Sequence, residues 1–180
     1  MVAGCVSDEA KFAVGLDRLW KVLRDDHVHL PKMVPDHVAS AEIVEGTAAP
    51  APSRRSPSPQ FLLNVTSENS EFESHLHLSF YAAAKIVIYV KRRLVMLDES
   101  NHVFKYEVLE GGVSEKIKSQ TFEFKFESTG DVETCVVRLK VEYDTVDDEP
   151  LGAEEEKKLI QGPFMLFRGV EQYLLANPGA

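Results

Sequence analysis

EEEKKLIQGPFMLFRGVEQYLLAN, residues 154–177, is the stretch that decides the fold of this chain. Its apolar residues recur every three or four positions, which is the spacing of one face of an α-helix. Three glutamates open the stretch, where the positive end of a helix dipole favours them, and Asn177 with Pro178 predicts its end. Gly162 and Pro163 lie in the middle and predict a bend, because proline removes a backbone donor. The apolar face must be covered, so we expect a bent helix lying over a sheet.

The segments before this helix have the pattern of a sheet. Five runs are rich in β-branched and aromatic residues and are separated by short turn signals: 75–80, 86–97, 103–109, 116–127 and 134–143. Consecutive strands joined by short turns predict an antiparallel meander. The alternation is clearest in the fourth run, where Phe122, Phe124 and Phe126 share one face while Glu123 and Lys125 share the other. One face of the sheet is therefore predicted to be dry and the other solvated.

The first part of the chain predicts two strands with two short helices between them. In chain order they are a strand at 2–12, helices at 16–23 and 27–33, and a strand at 38–44. Residues 47–74 differ in composition, because they contain many serines together with the proline-rich run TAAPAPSRRSPSP. Such a segment cannot bury enough apolar surface to order itself, so we interpret it as a flexible insert.

The composition limits the number of domains and the classes of partner. With 180 residues, of which 44% are hydrophobic, the chain is long enough for one domain and short for two, so we interpret 1–180 as a single domain. The net charge of −9 argues against nucleic acid or an anionic membrane as the main partner, since both require a basic face. Cys5 and Cys135 are too few for a disulfide framework, and the N-terminus lacks the apolar run of a signal peptide, which favours a cytoplasmic setting. No Cys and His cluster has metal-ligand spacing, so we expect no metal.

Two stretches resemble a known family. They are YVKRRLVMLDESNHVFKYEVLEGG at 89–112 and VEQYLLANP at 170–178. They are similar to the plant pathogenesis-related class ten proteins, the group of the birch pollen major allergen and the major latex proteins. The resemblance covers residues 1–46 and 75–178 and fails in the insert. It implies an α+β helix-grip fold of the START-like type, in which a curved seven-stranded antiparallel sheet wraps around the long C-terminal helix and two short helices follow the first strand.

The same resemblance implies a function. Members of the family enclose a large internal cavity, and the likeness implies reversible binding of small hydrophobic plant compounds in defence or stress. We therefore expect an intracellular, monomeric carrier of cytokinins, flavonoids, sterols or alkaloid-like compounds that needs no cofactor. The cytoplasm is the expected location, with the nucleus as a further compartment. A cavity lined by apolar side chains with a few polar groups suits such ligands.

The candidate ligand-binding residues come from the dry face of the sheet and from the apolar face of the helix. They are Tyr89, Lys91, Phe104, Tyr106, Val108, Phe122, Phe124, Val137 and Leu139 on the strands, and Phe164, Phe167 and Val170 on the helix. Tyr89 and Lys91 are included on the alternation set by Tyr106. The phase of their strand stays open, because both of its faces are apolar enough to be buried.

Two enzyme activities are alternatives within the same cavity. Ribonuclease activity in related proteins is tied to a glycine loop, two glutamates and a tyrosine. The matching positions are Glu115, Glu171 and Tyr173, but TAAPAPSRRSPSP replaces the glycine loop. A condensing activity resembling norcoclaurine synthase would use Lys105 as the imine-forming lysine, although the alternation predicts that Lys105 faces outward. We therefore expect a binder rather than an enzyme.

Two further alternatives involve protein partners. A hormone receptor that regulates a protein phosphatase shares the helix-grip fold, but its Ser-Gly-Leu-Pro-Ala gate is missing from this chain. The position of its His-Arg-Leu latch reads His102-Val103-Phe104. The insert at 47–74, with its PAPSRRSPSP segment, is the alternative contact for a protein partner.

Overall fold

The computed structural model describes residues 1–36, 38–46, 74–81, 87–111 and 114–179. Side chains are described throughout these ranges except at 26–28, 39–46, 74–81 and 87–89. The insert predicted at 47–74 lies outside the described residues, apart from Ser74. Its interpretation as a flexible segment therefore stays a prediction.

The strands and helices follow the predicted order. The strands are β1 (Ala3–Phe12), β2 (Val38–Gly46), β3 (Ser74–Tyr81), β4 (Val87–Asp98), β5 (Val103–Gly111), β6 (Ile117–Ser128) and β7 (Cys135–Thr145). The helices are α1 (Leu16–Arg24), α2 (Asp26–Met33) and α3 (Ala153–Ala176). Each element lies close to its predicted bounds, because the apolar spacing and the turn residues mark the ends of these segments in the sequence.

In the described part of the chain, the strands form one seven-stranded antiparallel sheet in the order β1-β7-β6-β5-β4-β3-β2. The strands from β2 to β7 pair as a meander, whereas β1 pairs with β7 and lies beyond it. The two edge strands are therefore β1 and β2, and the chain passes between them through α1 and α2. The α+β arrangement of a sheet, two short helices after the first strand and a long C-terminal helix is confirmed.

One face of the sheet, which we call the inner face, carries the hydrophobic core. Its buried members on β6 and β7 are Phe122, Phe124, Phe126, Val137, Leu139 and Val141. The register pairs Phe122 with Val141 and Phe124 with Leu139, so the two strands continue a single apolar surface. The residues between them point to the opposite, outer face, which is charged. The dry and solvated faces predicted from the alternation are confirmed.

The apolar face of α3 covers the inner face. Its buried apolar residues are Leu159, Ile160, Phe167, Val170 and Leu174. The centroid of the Phe167 ring lies 5.1 Å from that of Phe124 and 6.3 Å from that of Phe12, so this side chain joins α3 to both β6 and β1. Burying a side chain of this size contributes about 1.5–3 kcal/mol. The helix continues through Gly162 and Pro163, and the predicted bend stays a prediction.

Near its C-terminal end, α3 is bound to the end of β1 by a buried carboxylate. Glu171 is 5% exposed, and its Oε1 atom accepts a hydrogen bond of 2.6 Å from the backbone N–H of Ala13. The Nη1 atom of Arg168 donates to the same carboxylate at 2.9 Å, and its guanidinium lies 4.2 Å from the centre of the Phe12 ring. The charge of Glu171 is therefore compensated where it is buried.

The last turn of α3 is bound to α1. The Nη2 atom of Arg18 donates to the carbonyl oxygens of Leu174 and Asn177, at 2.9 Å and 2.6 Å. Carbonyls at the C-terminus of a helix have no partner within the helix, and a cation there also interacts favourably with the helix dipole. Arg18 thus stabilises the end of α3 and fixes its position relative to α1.

Replacing Glu171 tests the buried contact. Glu171→Ala should lower the free energy of unfolding by about 1–3 kcal/mol, because the Ala13 N–H loses its acceptor. Glu171→Gln is the matched control, since its amide oxygen still accepts from Ala13, and we expect a smaller loss. Urea unfolding followed by the fluorescence of Trp20 measures both variants. Equal losses would show that the hydrogen bond to Ala13 is not the stabilising part of the contact.

Two glycines lead to opposite predictions. A Cβ atom added at Gly4 would lie 2.2 Å from the ring of Tyr143, so Gly4→Ala should destabilise the fold by roughly 1–3 kcal/mol through overpacking. A Cβ atom added at Gly162 meets nothing within 4 Å. Gly162→Ala should therefore stabilise the fold by about 0.5–1 kcal/mol, because alanine has the higher helix propensity. Thermal unfolding followed by circular dichroism compares the two, and shifts of the same sign would contradict this account.

Candidate ligand-binding site

Most of the predicted ligand-binding residues form the packed part of the inner face. The buried ones are Phe104, Phe122, Phe124, Val137, Leu139, Phe167 and Val170. Their side chains pack on one another, as the ring centroids of Phe104 and Phe124, 5.0 Å apart, illustrate. The sequence could not separate these core residues from a binding surface, because both require apolar residues in the same phase.

Three other predicted residues are only partly buried. Tyr106 and Val108 lie on the inner face of β5, and Phe164 lies on α3. The Tyr106 ring stacks on that of Phe122 with the centroids 5.2 Å apart, so one of its faces is covered by protein. The three residues border the packed core and keep part of their surface accessible. They are the members of the predicted apolar set that remain available to a ligand.

The phase of β4, which the sequence left open, places Arg92 on the inner face. The register places Arg92 beside Val108 of β5, on the inner face. Its side chain is buried, and its guanidinium lies 4.4 Å from the centre of the Tyr106 ring. A guanidinium stacks well on an aromatic face, which offsets part of the cost of burying its charge.

Lys91 was therefore a wrong prediction for the inner face. It alternates with Arg92 and shares the phase of Arg93, whose guanidinium pairs with Glu107 on the outer face. The error arose because apolar residues occur on both faces of β4, so the alternation in the sequence carried little information. Tyr89 belongs to β4, but its side chain lies outside the described set, so its assignment stays a prediction.

Three polar side chains lie in one line across the inner face, and we call them the polar row: Arg92, Gln120 and Tyr143. The register connects them strand by strand, because Arg92 pairs with Val108, Val108 with Gln120, and Gln120 with Tyr143. All three side chains are buried. The row borders the partly exposed Tyr106, so the accessible apolar surface and the buried polar groups meet at one place.

Tyr143 is the member of the polar row that contacts α3. Its hydroxyl donates a hydrogen bond of 2.5 Å to the Oε1 atom of Glu156. Burial, together with the neighbouring Glu156 carboxylate, raises the pKa of Tyr143 to about 12. The hydroxyl is therefore protonated at neutral pH, and its proton is engaged by Glu156. This contact holds the first part of α3 against β7.

Gln120 is the member of the polar row with an unsatisfied atom. It is 6% exposed, and its Oε1 atom has no hydrogen-bond partner among the described residues. Buried polar atoms are normally hydrogen-bonded, so an exception on this surface calls for an explanation. The sequence reasoning missed Gln120, although a signal was present. It is the polar residue in phase with Phe122 and Phe124 on the strand whose dry face was predicted correctly.

The predicted ribonuclease residues are not brought together. Glu115 is exposed in the turn before β6, beside Lys116, whose Nζ atom lies 3.1 Å from Glu155 at the start of α3. Glu171 and Tyr173 lie near the other end of the same helix, and about 24 Å of helix separates Glu155 from Glu171. The Glu171 carboxylate is also engaged by its buried contact with the end of β1. The three residues therefore do not form one catalytic site.

Lys105 lies on the outer face of the sheet. Its Nζ atom is 4.0 Å from Glu123, its partner on the neighbouring β6, and 3.2 Å from Glu142 on β7, one strand further. Imine chemistry requires a lysine in a desolvated pocket that lowers its pKa. The outer face, with its cross-strand carboxylates, does not provide such a pocket. The structure therefore separates Lys105 from the surface predicted to hold a ligand.

Neither a metal site nor a membrane span is found in the described ranges. No group of three or more His, Cys, Asp or Glu residues there is placed to hold a metal ion. None of the described helices is both long enough and apolar enough to cross a membrane.

The ring of His102, at the position of the receptor latch, packs edge-on against that of Trp20, with the centroids 5.2 Å apart.

Comparison with known sequences identifies relatives. A sequence model of the Pathogenesis-related protein Bet v 1 family matches residues 62–177, which include the strands from β3 to β7 and all of α3. The Pathogenesis-related protein STH-2 of Solanum tuberosum is 31% identical over 121 residues, which cover 67% of this chain and 77% of that protein. The Pathogenesis-related protein 1 of Asparagus officinalis is 28% identical over 182 residues, covering 100% of this chain and 99% of that protein.

Solved structures share the fold. The crystal structure of Ara h 8.0201 matches with a TM-score of 0.71 at 21% identity, covering 98% of this chain and 100% of that chain. Norcoclaurine synthase from Thalictrum flavum, solved in complex with dopamine and hydroxybenzaldehyde, matches with a TM-score of 0.62 at 17% identity, covering 98% and 88%. At these identities the likeness concerns the fold alone, and it confirms the helix-grip arrangement. The matched region contains the strands from β3 to β7, the closing helix and the polar row, so this chain belongs to the Pathogenesis-related protein Bet v 1 family.

Proposed function

We propose that this protein binds small hydrophobic plant metabolites on the inner face of its sheet, beneath α3, as part of a defence or stress response. The observation that carries the proposal is the meeting of partly exposed apolar side chains with a buried polar row on one surface. Sites of that composition take amphipathic small molecules. Family membership and the pathogenesis-related names of the relatives support the same role.

The side chains beside the polar row favour a planar ligand. The rings of Tyr106 and Phe122 are nearly parallel, with an interplanar angle of 18°. Aromatic rings prefer offset-stacked or edge-to-face neighbours, so these rings favour a flat ring system beside them. Val108, the next inner-face residue of β5, adds an aliphatic contact. Cytokinins and flavonoids have planar ring systems of this kind.

The positions of the candidate catalytic residues favour binding over catalysis. Glu115 lies in the turn before β6, beside the start of α3, whereas Glu171 lies near the end of that helix. Lys105 lies among carboxylates on the outer face. Neither alternative enzyme mechanism therefore has its residues assembled on the inner face. We propose that the protein acts as a monomeric carrier in the cytoplasm, with no chemical step.

Filling the space beside Tyr106 tests the location of the site. Val108→Trp should weaken the binding of the apolar fluorescent probe 1-anilinonaphthalene-8-sulfonate by about tenfold, an effect of 1.4 kcal/mol. Leu109→Trp is the matched control, because Leu109 is the next residue of β5 and its side chain is 39% exposed. The same substitution there should leave the affinity unchanged. Fluorescence titration measures both, and displacement of the probe by a cytokinin or a flavonoid reports competition for the site.

Far-ultraviolet circular dichroism of both variants verifies that the fold is intact. Equal weakening by the two tryptophans would contradict a site on the inner face. A wild-type protein whose probe is displaced by no member of a plant metabolite panel would contradict the proposed function itself.

A further inference from the structure

We infer that Gln120 selects ligands that carry a hydrogen-bond donor, a hydroxyl or an N–H group, at one end of a flat apolar body. This inference rests on the proposed function, because it concerns the same surface. It adds a chemical requirement that apolar contacts do not impose: the ligand must donate a hydrogen bond to the Oε1 atom of Gln120. A compound of equal shape that only accepts hydrogen bonds should bind less tightly.

The Oε1 atom of Gln120 is unsatisfied in the folded chain. Gln120 is 6% exposed, and its Oε1 atom lacks a partner within the described residues. An acceptor buried without a donor destabilises the fold relative to an apolar side chain of the same shape. A glutamine in phase with Phe122 and Phe124 is therefore unfavourable for stability, unless something that is not part of the chain donates to it.

The side chains beside Gln120 do not supply a hydrogen-bond donor to its Oε1 atom. In the register, Gln120 lies between Val108 on β5 and Tyr143 on β7. Val108 has no polar atom in its side chain. Tyr143 has one hydroxyl proton, which is used in the hydrogen bond of 2.5 Å that the hydroxyl donates to Glu156. The nearest inner-face positions across both neighbouring strands thus leave the Oε1 atom without a partner.

Arg92 is the other member of the polar row with hydrogen-bond donors. It lies two strands away from Gln120, a backbone separation of about 10 Å. Its guanidinium lies 4.4 Å from the centre of the ring of Tyr106, which belongs to β5. This stacking directs the guanidinium toward Tyr106. A ligand ring placed beside Tyr106 and Val108 would bring a terminal donor toward Gln120.

A pair of ligands and one substitution test the inference. The probes are 2-naphthol, which has a hydroxyl donor, and 2-methoxynaphthalene, which has the same rings but can only accept. Gln120→Met is the variant, because methionine has a similar length and shape but no comparable acceptor. Isothermal titration calorimetry gives the dissociation constant of each probe for each protein, four values in all. The ratio of the two probes' dissociation constants is then compared between the wild-type protein and the variant, so that the difference in hydrophobicity between the probes cancels.

We expect the wild-type protein to bind 2-naphthol about tenfold more tightly than the ether, the effect of one buried hydrogen bond. In Gln120→Met the preference should disappear, while the affinity for the ether stays within about twofold of the wild-type value. A preference that survives the substitution would overturn the inference and leave the proposed function intact. If neither probe binds the wild-type protein, both the proposed function and the inference fail.

A measurement without ligand provides an independent readout. Removing an unsatisfied acceptor should raise the melting temperature of Gln120→Met by about 2–4 °C relative to the wild-type protein. A lower melting temperature would show that Gln120 has a donor within the folded chain, and it would overturn the inference. The same scan also verifies that the variant used for the binding experiment is folded.

Discussion

Two carboxylates on α3, one partly buried and one buried, set the position of this helix, and the inner face depends on that position. Near its start, Glu156 accepts the hydroxyl of Tyr143 from β7, and near its end Glu171 accepts the N–H of Ala13. About 22 Å of helix lies between these two residues, and apolar side chains such as Phe167 make the contacts there. Burial of apolar area is non-directional, so it favours contact without defining one geometry. The hydrogen bonds are directional, and they fix where along the sheet the helix lies.

The two faces of the sheet have separate roles. On the outer face, Lys105 and Lys140 both contact Glu142, and each such exposed pair contributes only about 0–1 kcal/mol. These charges therefore act mainly through solubility and by keeping this face out of the core. Among the side chains that the structure describes, the inner face contains few polar groups, and they are concentrated in the polar row. Changes on the outer face are consequently tolerated, whereas a change such as Gln120 to an apolar residue alters the chemistry of the proposed site.

The sequence predicted the architecture well and the site only in part. The turn residues and the alternation of Phe122 to Phe126 determine where strands begin and which face is buried, and these are local properties. The phase of β4 could not be predicted, because both of its faces carry apolar residues, so the sequence did not indicate that Arg92 faces inward. The role of Glu171 is also invisible in the sequence, since its partner, the N–H of Ala13, is a backbone group far away in the chain. Core and binding residues share one pattern, so only packing separates Phe124 from Tyr106.

The pairing of β1 with β7 joins the first and the last strand in chain order. Ala3 lies opposite Asp144 and Phe12 lies opposite Cys135, whereas β2 to β7 each pair with a strand adjacent in sequence. Contacts of such large sequence separation require closure of a long loop, and proteins dominated by them fold slowly. During synthesis β1 is made before the other strands, whereas its partner β7 is made after them. β1 therefore stays unpaired until β7 has been synthesised. Burial of Phe12 against α3 then belongs to the late steps of folding.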